Sequence, residues 1–145
     1  MSQPHLLSFE EQEQIVNSIR QAEKITSGEI KVHIEKKCPE GNPQVRVQEV
    51  FEKLEMHQTR ERNGVLLYLA YEDHIFYIFG DKGIYEKTPH DFWESTKEKM
   101  KLKFAREEFV EGFCEGIEEA SKQLARYFPE RHDNPNELSD DISFG

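Results

Sequence analysis

Arg62-Asn63-Gly64-Val65-Leu66-Leu67-Tyr68-Leu69-Ala70-Tyr71-Glu72-Asp73-His74-Ile75-Phe76-Tyr77-Ile78-Phe79-Gly80 is the stretch on which the fold turns. Val65 to Tyr71 is an almost unbroken apolar run, the pattern of a strand covered on both faces. Glu72, Asp73 and His74 make a short turn into a second such run, Ile75–Phe79. Strands joined this tightly run antiparallel. Upstream, Glu29–Glu35 alternates polar and apolar through Ile30, Val32 and Ile34, which predicts a strand with one apolar face. Between these strands, Asn42 caps a helix with Pro43 at its first position and Val47, Val50, Phe51 and Leu54 as its buried stripe. A helix of that length is a crossover, so strands 29–35 and 64–71 run parallel.

The flanks supply the helical layers. Ser8 with Glu11 has the spacing of a capping box, and Ile15, Val16, Ile19, Ala22 and Ile25 predict a helix over residues 9–25. Thr88 with Pro89 predicts a further helix carrying Phe92, Trp93, Thr96, Met100 and Phe104. The last helix, residues 107–128, carries Val110, Phe113, Cys114, Ile117, Leu124 and Phe128 on one stripe, and its Gly112 and Gly116 call for a close neighbour. The expected fold class is α/β: a three-layer α/β/α sandwich around a small mixed sheet. One domain spans 7–129, followed by a disordered acidic tail, 130–145, with five carboxylates to one Arg131.

The chain has 145 residues and a net charge of −10, which excludes the basic footprint of a nucleic-acid binder. It also disfavours anionic membranes, and no apolar run is long enough to span one. The N-terminal residues show no secretory signal, and Cys38 and Cys114 read as free thiols. A cytoplasmic monomer is expected.

The topology brings Thr26–Glu29, Arg62–Gly64 and Gly80–Gly83 to one end of the sheet, with Thr88 and Asp91 near. Glu29 and Asp81 there are oxygen ligands suited to a hard cation, Mg²⁺ or Ca²⁺. Arg60, Arg62 and Lys82 offer positive charge for an anionic group such as phosphate. The bland alternative is that the glycines are turn residues and their polar neighbours are solvated. Glu35, Glu40, Glu72 and Asp73 at the opposite end read as ordinary surface. The six histidines show no zinc spacing, and His57, beside Arg60 and Arg62, is the one suited to acid–base work.

Thr26-Ser27-Gly28-Glu29-Ile30, the stretch Arg62 to Leu69, and Gly80-Asp81-Lys82-Gly83-Ile84 together resemble the TPM domain. The likeness continues through Phe92-Trp93, Phe109…Gly112 and Tyr127-Phe128-Pro129. That family is named after a thylakoid-lumen protein, a photosystem-repair factor and a nematode receptor modulator. The resemblance implies an α/β/α sandwich, divalent-metal binding at one sheet edge, and metal-dependent hydrolysis of phosphomonoesters by a stand-alone bacterial domain. It makes Glu29, Asp81 and Asp91 candidate metal ligands, Arg62 a charge-stabilising group, and Asp91 or His57 a general base. Many relatives carry an export signal and a membrane anchor; neither is visible here, so membrane-linked roles are not expected. The family's commoner Gly-x-Gly-Leu-Glu reads Gly80-Asp81-Lys82-Gly83-Ile84-Tyr85-Glu86, leaving open whether Glu86 or Asp91 completes the site. The competing expectation is a non-catalytic, Ca²⁺- or Mg²⁺-binding interaction module whose acidic tail meets a protein partner.

Overall fold

A computed structural model describes residues 6–130 and 138–145. Helix α1 (Phe9–Ala22) opens on the expected capping box: the Glu11 N–H donates to Ser8 Oγ at 3.1 Å, and the Ser8 N–H donates to Glu11 Oε1 at 2.8 Å. Strand β1 (Glu29–Glu35) leads through α2 (Pro43–Lys53), capped by Asn42, to strand β2 (Gly64–Ala70). These strands are parallel, Glu29 opposite Gly64, as the crossover requires. Strand β3 (Ile75–Gly80) returns antiparallel to β2, Val65 opposite Gly80.

The alternation of side chains divides the core in two. Ile30, Val32, Ile34, Val65, Leu67 and Leu69 face a helical layer of α1, α4 (Glu94–Ala105) and α5 (Phe109–Ala125). Leu66, Tyr68 and Ala70 face the other way and pack with Val47, Val50 and Phe51 of α2. The result is the expected three-layer α/β/α sandwich. Gly112 and Gly116 of α5 answer their sequence reading: a methyl on either would strike Phe104 or Met100 of α4.

Four expectations need correction. Helix α1 ends at Ala22, short of Ile25, because the chain turns there to lay Thr26 and Ser27 against Phe128, whose carbonyl accepts the Ser27 N–H at 2.9 Å. The last helix is also shorter than residues 107–128. Thr88 and Pro89 do not start a helix: the N–H of Phe92 donates to the Pro89 carbonyl and that of Glu94 to Asp91, a run of turns that delays α4 to Glu94. Before them lies an unexpected short helix, α3 (Lys82–Lys87), so Gly83 sits in a helix and not in an open loop.

The fourth correction concerns the tail. Residues 131–137 lie outside the described residues, but 138–145 are folded against β1, and Ser143–Phe144 form strand β4, parallel to it. The sheet order is therefore β3-β2-β1-β4. What sequence reading took for disorder from acidic composition is an edge strand held by contacts more than a hundred residues away in the chain.

Candidate functional site

At the end of the sheet where β1 and β2 begin and β3 finishes, Thr26, Ser27, Glu29, Thr59, Asn63 and Asp81 are all buried. Burying this many polar groups is costly unless they are hydrogen-bonded. Most are. Thr26 Oγ1 donates to the Phe128 carbonyl at 2.5 Å and accepts the Gly28 N–H at 3.0 Å. Asn63 Nδ2 donates to the Ser27 carbonyl at 3.1 Å, tying the entry of β2 to that of β1, and its N–H donates to Thr59 Oγ1. Ser27 Oγ is buried without a partner among the described residues.

Asp81 dominates the site. It caps α3, its Oδ1 accepting the Lys82 N–H at 2.7 Å. The same carboxylate takes the fork of Arg62, Nε to Oδ2 at 2.7 Å and Nη2 to Oδ1 at 3.0 Å. Two-point pairing of this kind fixes the guanidinium plane. Hydrogen bonding to Asp81 outweighs desolvation and holds Arg62 still more firmly protonated. Arg62 reaches this geometry from a left-handed backbone, φ 52°, a conformation that non-glycine residues adopt only when their surroundings impose it. The imposing contact is α3 itself: the Gly83 N–H donates to the Arg62 carbonyl at 2.9 Å, and a Cβ on Gly83 would lie 2.6 Å from that oxygen and closer still to the carbonyl of Glu61.

Lys82, also nominated, adjoins Asp81 and begins α3, whereas the nominated ligand Glu29 and the nominated bases make other contacts. Glu29 lies beyond Gly64 from Asp81, two strand spacings or roughly 10 Å away. Its Oε1 accepts the Leu138 N–H at 2.7 Å. Asp91 is exposed in the turns before α4. His57 is half-buried in the 3₁₀ turn Met56–Gln58, its Nδ1 without a partner among the described residues. Among the described residues, no hydrogen bond joins Asp91 or His57 to Arg62 or Asp81.

This arrangement does not fit the divalent cation that the resemblance implies. Both oxygens of Asp81 are already occupied by a cationic side chain and a backbone N–H. Among the described residues, no three His, Cys, Asp or Glu side chains group where they could hold a metal ion. What the site does present is a pre-aligned, part-exposed guanidinium whose side chain is 37% accessible. The sequence places Arg62 and Asn63 at this sheet end but takes Gly83 for a turn glycine, and nothing in it singles out Thr59.

The opposite end of β1 was read as plain surface and is not. Glu35 is buried and accepts Nε and Nη2 of Arg46 at 2.8 and 2.7 Å, the hydroxyl of Tyr68, and a longer contact from His33 Nε2 at 3.4 Å. Burial by itself would raise the Glu35 carboxyl, but hydrogen bonds from Arg46 and Tyr68 outweigh it and hold it below its ordinary value. Burial also pushes His33 down, against the pull of Glu35, so His33 favours its neutral form.

Among the described residues, no helix is long and apolar enough to cross a membrane. No curated protein matches the chain. Solved structures are similar to it, among them the following two. The BA42 protein of the psychrophilic bacterium Bizionia argentinensis, determined by NMR, is 44% identical over 99% of both chains, with a TM-score of 0.93. The N-terminal domain of the cg2496 protein of Corynebacterium glutamicum has the same fold at 13% identity, TM-score 0.65, covering 80% of this chain and 72% of that one. The family model of the TPM domain matches residues 1–123, and the chain belongs to the TPM domain family.

Proposed function

We propose that this TPM domain hydrolyses phosphomonoesters at the sheet end occupied by Arg62 and Asp81. The observation that carries the reading is the Arg62 fork, held by a buried carboxylate and by a strained backbone that α3 locks in place. A planar guanidinium matches a phosphoryl group, and one that is already oriented loses little freedom on binding it. With Nε and Nη2 on Asp81, Nη1 is left to meet the substrate. Proton transfer falls to His57 or Asp91, each of which would have to approach the bound phosphate. Dependence on Mg²⁺ or Ca²⁺ rests on the family resemblance alone.

The test is release of p-nitrophenol from its phosphate, with Mg²⁺, with Ca²⁺ and after chelation, for the wild type and for Arg62→Lys. Turnover above buffer that falls about 100-fold in Arg62→Lys supports the reading, since one lost transition-state donor costs that much. A folded wild type with no turnover under any condition overturns it. The second reading, a non-catalytic interaction module, is favoured by the saturation of Asp81 and predicts that outcome.

A further inference from the structure

The two faces of β1 differ in a way that β2 does not share. Every residue of β1 is buried, yet one face carries Glu29, Lys31, His33 and Glu35. Helix α2 lies over β2 and β3 on that side, and the polar half of the face is met by residues 138–145. The Leu138 N–H donates to Glu29 Oε1 at 2.7 Å, and Lys31 Nζ donates to the carbonyls of Ser139 and Asp141 at 3.0 and 2.9 Å. His33 Nδ1 and Ser143 Oγ are hydrogen-bonded at 2.8 Å, and the Gly145 N–H donates to the Ile34 carbonyl at 3.0 Å. Leu138 packs against the α2 side of the core and Ile142 against the other side, so the segment straddles the edge of β1 as a strand does.

A face that is always covered gains by being apolar, as β2 is on both sides. Glu29, Lys31 and His33 lose little when this cover leaves, because each regains water, while Glu35 keeps Arg46 and Tyr68. The polar residues therefore fit a cover that comes and goes, and an uncovered β1 is an edge strand with unpaired backbone groups. Every copy of the chain carries both halves of this interface, the rail on β1 and the segment that reads it. Exchange of an identical element between copies is a low-cost route to a dimer. We infer that the outer edge and polar face of β1 form a reversible strand-docking site, and that its occupant in trans is the 138–145 segment of a second copy of this chain.

Two full-length variants separate the halves. Lys31→Glu breaks the rail, opposing Asp140 and Asp141, and leaves the segment intact; Ile142→Asp breaks the segment's apolar anchor and leaves the rail intact. Each alone is expected to sediment as a monomer. Mixed, they are expected to form a one-to-one heterodimer, the segment of the first seated on β1 of the second. A synthetic peptide of residues 138–145 is expected to compete for that seat at least tenfold better than a scrambled peptide of the same charge. Two folded variants that stay monomeric when mixed overturn the inference, and so does equal competition by the scrambled peptide, which would mean that the face reads charge alone. If either variant fails to fold, hydrogen exchange on the wild type decides. The Gly145 amide is expected to exchange at least tenfold faster than the backbone amides joining β1 to β2. Exchange at the same rate, by global unfolding only, would show a permanent cover and overturn the inference.

Discussion

Replacing Gly83 by alanine probes the contact on which the candidate site depends. Two effects oppose each other. Alanine is a better helix former than glycine by about 1 kcal/mol, so by propensity alone the variant would gain stability. Against that, the new methyl would lie 2.6 Å from the Arg62 carbonyl oxygen, 3.0 Å from its carbon, and closer still to the carbonyl of Glu61. These are backbone atoms of the segment entering β2, held by the Asn63 N–H to Thr59 and by the Gly83 N–H to Arg62, so they cannot swing aside as a side chain would. Overpacking against a fixed wall costs about 3 kcal/mol, the upper end of the common range. The net loss is about 2 kcal/mol, which for a domain of this size lowers Tm by roughly 6 °C. Thermal unfolding followed by circular dichroism measures it. Gly41→Ala is the control: nothing lies near its Cβ, but its φ of 63° disfavours alanine, so its loss reports backbone strain without collision. A Tm for Gly83→Ala equal to or above that of the wild type would refute the claim that α3 clamps the Arg62 loop.

Three further outcomes follow from the geometry. Asp81→Ala removes the cap of α3 and costs at least about 1 kcal/mol in chemical denaturation, and it frees Arg62, so its ring of contacts with the β2 entry should loosen in amide exchange spectra. Tyr68→Phe deprives the buried Glu35 of one hydrogen bond and is expected to cost about 1.5 kcal/mol; an unchanged denaturation midpoint would mean that Arg46 alone satisfies that carboxylate. The Glu23 carboxyl is pushed up to about 8 by burial, then by its hydrogen bond and repulsion with Asp140. The folded chain thus keeps a proton that the unfolded chain gives up near pH 4.5, so this group's contribution to stability is fully present below that pH and is lost as pH rises towards 8. In Glu23→Gln the Tm profile between pH 5 and 9 should lose this decline, and parallel profiles for the two proteins would disprove the assignment.

The parts of the fold that were legible in the sequence are those fixed by neighbours in the chain. Ser8 and Glu11 announce the start of α1 because the cap closes over three residues, and Asn42-Pro43 does the same for α2. The bounds of β1 follow from alternation alone. Local pattern failed where the deciding partner is remote. Helix α3 has six residues, too few to show a period, and exists because Asp81 caps it and Gly83 seats it on the Arg62 backbone. The tail looked unstructured because Asp140 and Asp141 read as solvating charge, whereas they lie beside Lys31 and Arg20, far back in the chain. Glu29 and Asp81 were correctly brought to one sheet end by topology. Topology could not say that their carboxylates were spoken for, one by the Leu138 N–H and the other by Arg62.

The placement of β4 also orders events in time. β2 and β3 are joined by the short turn Tyr71–His74 and can pair as soon as both exist, while β1 must wait for the α2 crossover. The pairing of Ser143 with His33 closes the longest loop in the sheet, and its entropy is recovered only after β1 already stands as a template. β4 is therefore the last strand to arrive and the first to leave. Substitutions in residues 138–145 should leave the folding arm of a chevron plot almost unmoved and steepen only the loss of the native state, so the chain's lifetime, more than its speed of folding, is written in its final residues.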